Sequence, residues 1–247
     1  DNFIEAPNES LLIDSTVDEN GNFQNLYLKW GDANVAIFKK GSNITHPILV
    51  PILDDLLVSP DHIKKIQDKI QKWFEDTYLS KLDLSDKLKK FNTKPEERSF
   101  IFKIIESQYN LYQINILDEF KLIDEPQRKE IHSLNFRLGK NVIFNSELIR
   151  PEYMKLKFYL WNLYNNEFLN IDEYIPKDGN ATLNIENKLN EELLTFLGFI
   201  SKNDLLIRLD IFNEFEKQLF KRENRGPFSL PMDLSNLLGI KKDKLIS

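Results

Sequence analysis

The sequence predicts an α+β protein that is mainly α-helical, with a small N-terminal β-meander, a multi-helix domain and a small C-terminal helix-strand-helix subdomain. In the first 50 positions apolar and polar residues alternate at period two, whereas from residue 59 apolar residues recur every three or four positions. A segment centred on Pro176-Lys177-Asp178-Gly179 then indicates a linker. We therefore expect domains at residues 1–58, 59–170 and 189–247, with the linker at 171–188.

The β-meander is predicted from strand-like segments separated by turn residues. Asn20-Gly21 favours a type I′ hairpin turn, and Gly31 and Gly41 mark later turns. These glycines are about ten residues apart, so they do not form a glycine-rich phosphate loop. The predicted strands cover residues 11–17, 23–30 and 35–38.

The multi-helix domain is predicted from capping signals followed by apolar stripes. Ser59 is a candidate N-cap with Pro60 at the first helical position, and Trp73 lies on the inward face of that helix. A capping box at Thr93–Glu96 begins a second helix, whose apolar stripe extends to Tyr112. Asp124 precedes a short helix that ends near Leu134.

The C-terminal half continues with a helix beginning at Pro151, on which Trp161 is expected to point inward. After the linker, a helix at 189–197 is expected to end at Gly198 in the left-handed conformation. A strand at 205–209 follows, and Asp210 is the expected N-cap of the next helix. The inward face of that helix is predicted to contain Ile211, Phe212, Phe215 and Leu219.

Composition excludes several classes of function. The chain has no cysteine, which excludes disulfides and thiolate chemistry and is compatible with a reducing cytoplasm. It has no apolar run of membrane-spanning length. The net charge is −6, and residues 1–60 contribute 3 basic minus 9 acidic groups, or −6, so the remainder is neutral. A strong polyanion binder is therefore not indicated, although a local basic face remains possible.

No pattern in the sequence predicts an active site, a metal centre or a bound cofactor. The three histidines, His46, His62 and His132, do not share a helical turn or a zinc-binding motif. The sequence also lacks a G-x-S-x-G elbow, a phosphate-binding G-x-x-x-x-G-K-[ST] loop and an Asp-Glu magnesium box. We expect no catalytic residue, cofactor or metal in this chain.

The candidate nucleic-acid residues are five basic side chains near Phe144, Phe158 and Trp161. Cations beside aromatic rings are typical of a single-stranded RNA path, but they also occur as ordinary ion pairs around a packed junction. A second group of lysines at 64–72 is interleaved with acids, which favours a solvated surface. The five candidates are Arg137, Lys140, Arg150, Lys155 and Lys157.

A series of degenerate motifs resembles the region C-terminal to the motor in bacterial superfamily 2 helicases of the mitochondrial RNA-degradosome type. This sequence differs from the family at Asn145-Ser146, where members of the family commonly have an apolar residue followed by proline. The segment carrying Trp73 and residues 95–111 are also similar to the family. The motifs, in order, are Arg137 with Gly139, Phe144, Leu148 with Pro151, Gly198-Phe199, Arg208-Leu209-Asp210, Gly226-Pro227-Phe228 and Leu238-Gly239.

This resemblance implies that the chain is the non-catalytic accessory part of a longer cytoplasmic ATP-dependent RNA helicase. ATP and Mg²⁺ would be bound by motor domains of the same polypeptide, which would be the main partner of this chain. The absence of an initiator methionine before Asp1 is compatible with this expectation. The expected role is to pack beside the motor and guide single-stranded RNA. The alternative is a protein–protein interaction scaffold without nucleic-acid binding.

Overall fold

The computed structural model describes residues 2–53, 59–91, 94–176, 182–184, 189–202 and 205–223. Predictions that concern Thr93, the turn at 177–179 and the motif residues 226–228 and 238–239 lie outside these ranges.

The chain divides into two compact units, each assembled from two stretches of sequence. The first unit comprises Asp1–Leu84 and Lys155–Ile171, and the second comprises Ser85–Met154 and Asp172–Ser247. This division is discontinuous along the chain, whereas the sequence patterns indicated three consecutive domains.

The described strands form three antiparallel sheets, with orders β1-β2-β3-β4, β5-β7-β6 and β8-β10-β9. The first sheet belongs to the first unit and the other two belong to the second. The strand bounds are β1 Leu11–Val17, β2 Phe23–Trp30, β3 Ala33–Asn43, β4 His46–Pro51, β5 Asn110–Tyr112, β6 Phe136–Leu138, β7 Val142–Asn145, β8 Thr182–Asn184, β9 Phe199–Lys202 and β10 Leu205–Arg208.

The helices range from single turns to fifteen residues. Short 3-10 helices occur at Asn8–Ser10 and Ile171–Glu173, and a π-helical turn at Glu75–Leu79 continues the second α-helix. The α-helix bounds are α1 Asn2–Glu5, α2 Pro60–Phe74, α3 Ser80–Leu82, α4 Ser85–Lys89, α5 Pro95–Glu106, α6 Ile116–Lys121, α7 Glu125–Ser133, α8 Pro151–Asn165, α9 Glu191–Leu197 and α10 Leu209–Glu223.

The prediction of a mainly α-helical fold is wrong. In the described residues about 49% of the chain is helical and about 26% is strand, so the protein is more evenly α+β. The segment predicted as a helical domain contains the sheet β5-β7-β6, and the C-terminal part contains a complete three-stranded sheet instead of a single strand.

The first unit is organised around its four-stranded sheet. β1 and β2 coincide with the predicted strands, whereas β3 is longer than predicted and β4 was not predicted. The inner face of the sheet buries Leu28, Phe38 and Leu49, and the Phe38 ring meets Phe74 of α2 edge to face. The alternating burial along β2 explains why period-two patterning identified it.

The turn between β1 and β2 is not the type I′ turn that Asn20-Gly21 predicted. A type I′ turn needs positive φ at both central residues, and only Gly21 has it. The strands pair at Val17 and Phe23, so five residues connect them. The Asp18 carboxylate organises this loop by accepting hydrogen bonds from the backbone N–H groups of Asn20 and Asn22.

The predicted start of α2 is confirmed. Ser59 has extended backbone angles, and its hydroxyl oxygen accepts a hydrogen bond from His62 N at 3.3 Å. The predicted inward positions of both tryptophans are also confirmed, since Trp73 is 2% exposed and Trp161 is 7% exposed. Each indole N–H has an acceptor, Asn8 O for Trp73 and a Glu167 carboxylate oxygen for Trp161.

In the second unit, helix α5 ends six residues earlier than the apolar stripe predicted. Gln108 and Tyr109 adopt left-handed backbone angles, with φ of 52° and 69°, and the chain then enters β5. The Tyr109 ring is buried and meets Phe136 edge to face. Its hydroxyl lies 3.1 Å from Ser85 Oγ. Tertiary contacts therefore hold a conformation that the residue types do not favour.

Of two further helix predictions, the one for Gly198 is confirmed and the one for Asp210 is wrong. Gly198 ends α9 with φ of 94°, as predicted. Asp210, however, lies inside α10 instead of capping it, and its carboxylate is held by Arg208 at 2.7 and 2.9 Å. The inward face of α10 also differs from the prediction because it includes two polar side chains, Asn213 and Glu216, that are 5% and 6% exposed.

Candidate functional site

The five predicted basic residues are divided between the two units. Arg137, Lys140 and Arg150 lie in the second unit, whereas Lys155 and Lys157 lie in the first. The first four are exposed, and Lys157 is 2% exposed.

The prediction that Lys157 contacts RNA is wrong because its side chain is buried. Burial lowers the pKa of the Lys157 ammonium from 10.5 to about 7, since the charged form loses its hydration. The sequence did not reveal this burial because α8 is apolar on almost all of its faces. Tyr153, Met154, Leu156 and Phe158 are all buried, so the helix pattern does not identify one solvent side.

Two of the three basic residues of the second unit belong to the β6–β7 hairpin, and the third, Arg150, follows the hairpin in sequence. Arg137 lies on β6, an outer strand of its sheet, and is paired with Phe144 of β7. Its guanidinium donates a hydrogen bond to the carbonyl of Phe136 at 3.0 Å. Lys140 lies in the turn, and Arg150 immediately precedes α8. We call Arg137, Lys140 and Arg150 the hairpin cations.

A cleft of about 390 Å³ adjoins the turn of this hairpin. The cleft is lined by Gly139 and Lys140 from the turn and by Asn213, Glu216 and Lys217 from α10. The Glu216 carboxylate accepts hydrogen bonds from the backbone and side-chain amides of Asn141, at 3.3 and 2.6 Å. Acidic groups therefore lie close to Lys140, and they weaken the local positive potential.

Gly139 is required by this packing. A β-carbon at position 139 would lie 2.5 Å from the Asn213 Oδ1 atom and 2.9 Å from a Glu216 carboxylate oxygen. Those distances are shorter than van der Waals contacts allow. The Arg-x-Gly step at Arg137 and Gly139 thus has a structural explanation in the close approach of α10 to the hairpin.

A second cleft, of about 380 Å³, lies between β5, α9 and β9. Asn110, at the start of β5, is 3% exposed, and its Nδ2 atom donates hydrogen bonds to the carbonyls of Thr195 and Phe196 at the end of α9. These two bonds fix the amide orientation. The Asn110 Oδ1 atom is buried and has no hydrogen-bond partner among the residues that the structure describes.

Sequence reasoning missed Asn110, Asn213 and Glu216. The sequence did contain a signal that could have identified such positions, namely a polar residue where the surrounding pattern is apolar. Asn110 interrupts an apolar run between Tyr109 and Leu111, and Asn213 follows Phe212 in an aromatic-rich helix. A buried polar side chain needs hydrogen-bond partners, so such interruptions mark positions with a specific polar environment.

In the part of the chain that the structure describes, no group of three or more His, Cys, Asp or Glu side chains could hold a metal ion. Over the same residues, every helix is too short or too polar to cross a membrane. Comparisons with protein-family models, with curated proteins and with solved structures found no match.

Proposed function

We propose that this chain is a non-catalytic accessory region of a cytoplasmic ATP-dependent RNA helicase and that it contacts single-stranded RNA through the hairpin cations. The observation that carries the proposal is the exposure of three basic residues of the second unit, Arg137 and Lys140 in the β6–β7 hairpin and Arg150 shortly after it. The motif resemblance supports the same function. ATP and Mg²⁺ are assigned to motor domains of the same polypeptide.

The chemistry of the three side chains suits a phosphate backbone. Arginine presents a planar array of donors that binds phosphate oxygens in pairs, and lysine adds a point charge. Arg137 extends from an outer strand and Arg150 precedes the N-terminus of a fifteen-residue helix, where the helix dipole adds partial positive charge. Glu152 in the first turn of α8 offsets part of that charge.

The binding is expected to be weak and sensitive to salt. The whole chain carries a net charge of −6, and Glu216 and Asp118 line the cleft that includes Lys140. We therefore expect a dissociation constant between about 1 and 100 μM at low salt. Three contacts to a single-stranded backbone predict a slope of about −2 for the logarithm of the binding constant against the logarithm of salt concentration.

The test is fluorescence anisotropy with a labelled oligouridine and the whole 247-residue chain. Reversing two hairpin cations, Arg137→Glu with Arg150→Glu, should abolish the binding and leave the melting temperature nearly unchanged. The matched control is Lys64→Glu with Lys65→Glu, which makes the same change of charge at exposed positions of α2. Equal loss in both double variants would indicate diffuse electrostatics and would contradict the proposal.

Lys155 needs a separate variant because it belongs to the first unit. Lys155→Glu should leave the affinity for oligouridine nearly unchanged if the hairpin cations form the site. A loss as large as that of the hairpin double variant would extend the RNA path to the first unit. The proposed link to a motor is tested by the reading frame upstream of Asp1, where a phosphate-binding loop and an Asp-Glu box are expected.

A second candidate function, a protein interaction scaffold, is favoured by the outer face of the first sheet. Leu12 is 65% exposed, Ile48 is 52% exposed and Val50 is 42% exposed. Ile48 and Val50 lie two residues apart on β4, whereas Leu12 lies on β1 at the opposite edge of the sheet. Neighbouring exposed apolar side chains on one face of a sheet, such as Ile48 and Val50, are typical of association surfaces. If oligouridine does not bind at low salt, this function takes precedence. Sedimentation velocity should then detect association that Ile48→Lys with Val50→Lys removes.

A further inference from the structure

The cleft between β5, α9 and β9 is flanked by two strand edges. Phe199, Ile200 and Ser201, three consecutive residues of β9, line it. Side chains of consecutive strand residues point to opposite faces of a sheet, so three in a row line a cleft only where the edge of the strand borders it. Asn110, Leu111 and Tyr112 of β5 line the opposite side in the same way.

β9 is the outer strand of its sheet among the residues that the structure describes. Leu209 N donates to Gly198 O at 2.9 Å, which makes these two residues a hydrogen-bonded pair of the antiparallel ladder. Such pairs recur at every second residue, so Ile200 and Lys202 also bond to β10. The backbone N–H and C=O of Ser201 therefore point away from β10, and Ser201 is exposed.

Asn110 lines the cleft but is only 3% exposed, so its side-chain amide can report that the cleft is occupied without contacting the ligand directly. The cleft carries negative charge, because Glu191 is the one charged side chain among the described residues that line it.

From these observations we propose that the cleft binds an extended peptide with a basic side chain. The peptide adds a strand to the outer edge of β9 through the backbone of Ser201 and directs its basic side chain toward Glu191. Strand addition supplies main-chain hydrogen bonds, and side-chain recognition supplies specificity. A volume of about 380 Å³ lies within the range of ligand clefts, about 300–1,000 Å³. This inference does not depend on the RNA proposal, since it uses none of the hairpin cations.

The test is an NMR titration of the whole chain with capped peptides that differ in one feature. The probe is acetyl-Thr-Val-Arg-Val-Thr-amide, and the two comparison peptides carry Glu in place of Arg or N-methyl groups at alternate backbone nitrogens. The Arg peptide should slow hydrogen exchange at Ser201 N and shift the Asn110 side-chain amide resonances. The Glu peptide should bind at least tenfold more weakly, and the N-methylated peptide should not bind.

Variants of the protein separate the strand-addition contact from the charge contact. Ser201→Pro removes the outward N–H without removing a bond to β10, so it should abolish binding, whereas Ser201→Ala should bind like the wild type. Glu191→Gln should reduce the difference between the Arg and Glu peptides to less than about twofold.

Three results would overturn the proposal. The first is the absence of Arg-peptide binding at millimolar concentration, and the second is equal binding of the N-methylated peptide. The third is displacement of the Arg peptide by oligouridine, which would assign the cleft to nucleic acid. If Ser201→Pro does not fold, the N-methylated peptide tests the same hydrogen bonds on the unaltered protein.

Discussion

Replacing the buried Lys157 by methionine should change how the stability of this protein depends on pH. The Lys157 side chain is 2% exposed, and burial lowers its pKa from 10.5 to about 7. The unfolded chain keeps the lysine protonated up to about pH 10.5, whereas the folded chain releases the proton above about pH 7. Between these values the unfolded state holds more protons, so the stability of the folded state rises with pH.

The magnitude follows from the two pKa values. The difference between 10.5 and about 7, at about 1.36 kcal/mol per pH unit, gives on the order of 5 kcal/mol across the whole window. Between pH 7 and pH 9 the expected rise in the free energy of unfolding is about 2 kcal/mol. Lys157→Met keeps a side chain of similar length and removes the ammonium, so it should stabilise the protein at pH 7 and abolish this rise.

The assay is urea denaturation at pH 7, 8 and 9, followed by tryptophan fluorescence. Trp161 lies four residues from Lys157 on α8 and is a local reporter of the transition. The matched control is Lys155→Met, which removes an exposed lysine from the same helix and should keep the wild-type slope. Parallel stability curves for the wild type and Lys157→Met would refute the reasoning, because they would show that the ammonium is not desolvated in the folded state.

Two further predictions concern packing. Trp73→Ala and Trp161→Ala should each lower the free energy of unfolding by about 3–5 kcal/mol, because both rings are buried. The control in the same melts is Phe168→Ala, because the Phe168 side chain is 55% exposed. A decrease in the free energy of unfolding of less than about 1 kcal/mol in both tryptophan variants would contradict the prediction. Gly198→Ala should cost about 1–3 kcal/mol more than Gly31→Ala. Both glycines have positive φ, but only at position 198 would a new β-carbon meet another side chain, Ile149 at 2.5 Å. Equal losses in urea denaturation would show that Ile149 moves aside.

The candidate RNA site shows which features of a site can be predicted from residue type and spacing and which cannot. The sequence identified Arg137, Lys140 and Arg150, and all three are exposed residues of the second unit. It also grouped them with Lys157, which is buried. A cation on a helix with apolar residues on every face has no preferred side until the neighbouring elements are in place. The peptide cleft was not predicted, because it depends on strand edges that come from two different sheets.

Local sequence determined the elements whose signals are contained within a few residues. Alternation located β1 and β2, Ser59 began α2, and Gly198 ended α9 in the left-handed conformation. Backbone geometry and the nearest side chains decide these features, so composition and spacing are enough to predict them.

Tertiary structure alone decided where α5 ends, which polar groups lie inside and how many sheets form. Left-handed angles at Gln108 and Tyr109 follow from the burial of the Tyr109 ring against Phe136, a contact between residues 27 positions apart. Asn213 and Glu216 point inward because Gly139 leaves space for their oxygens. These outcomes depend on contacts between distant parts of the chain, and neither helix periodicity nor turn chemistry contains that information.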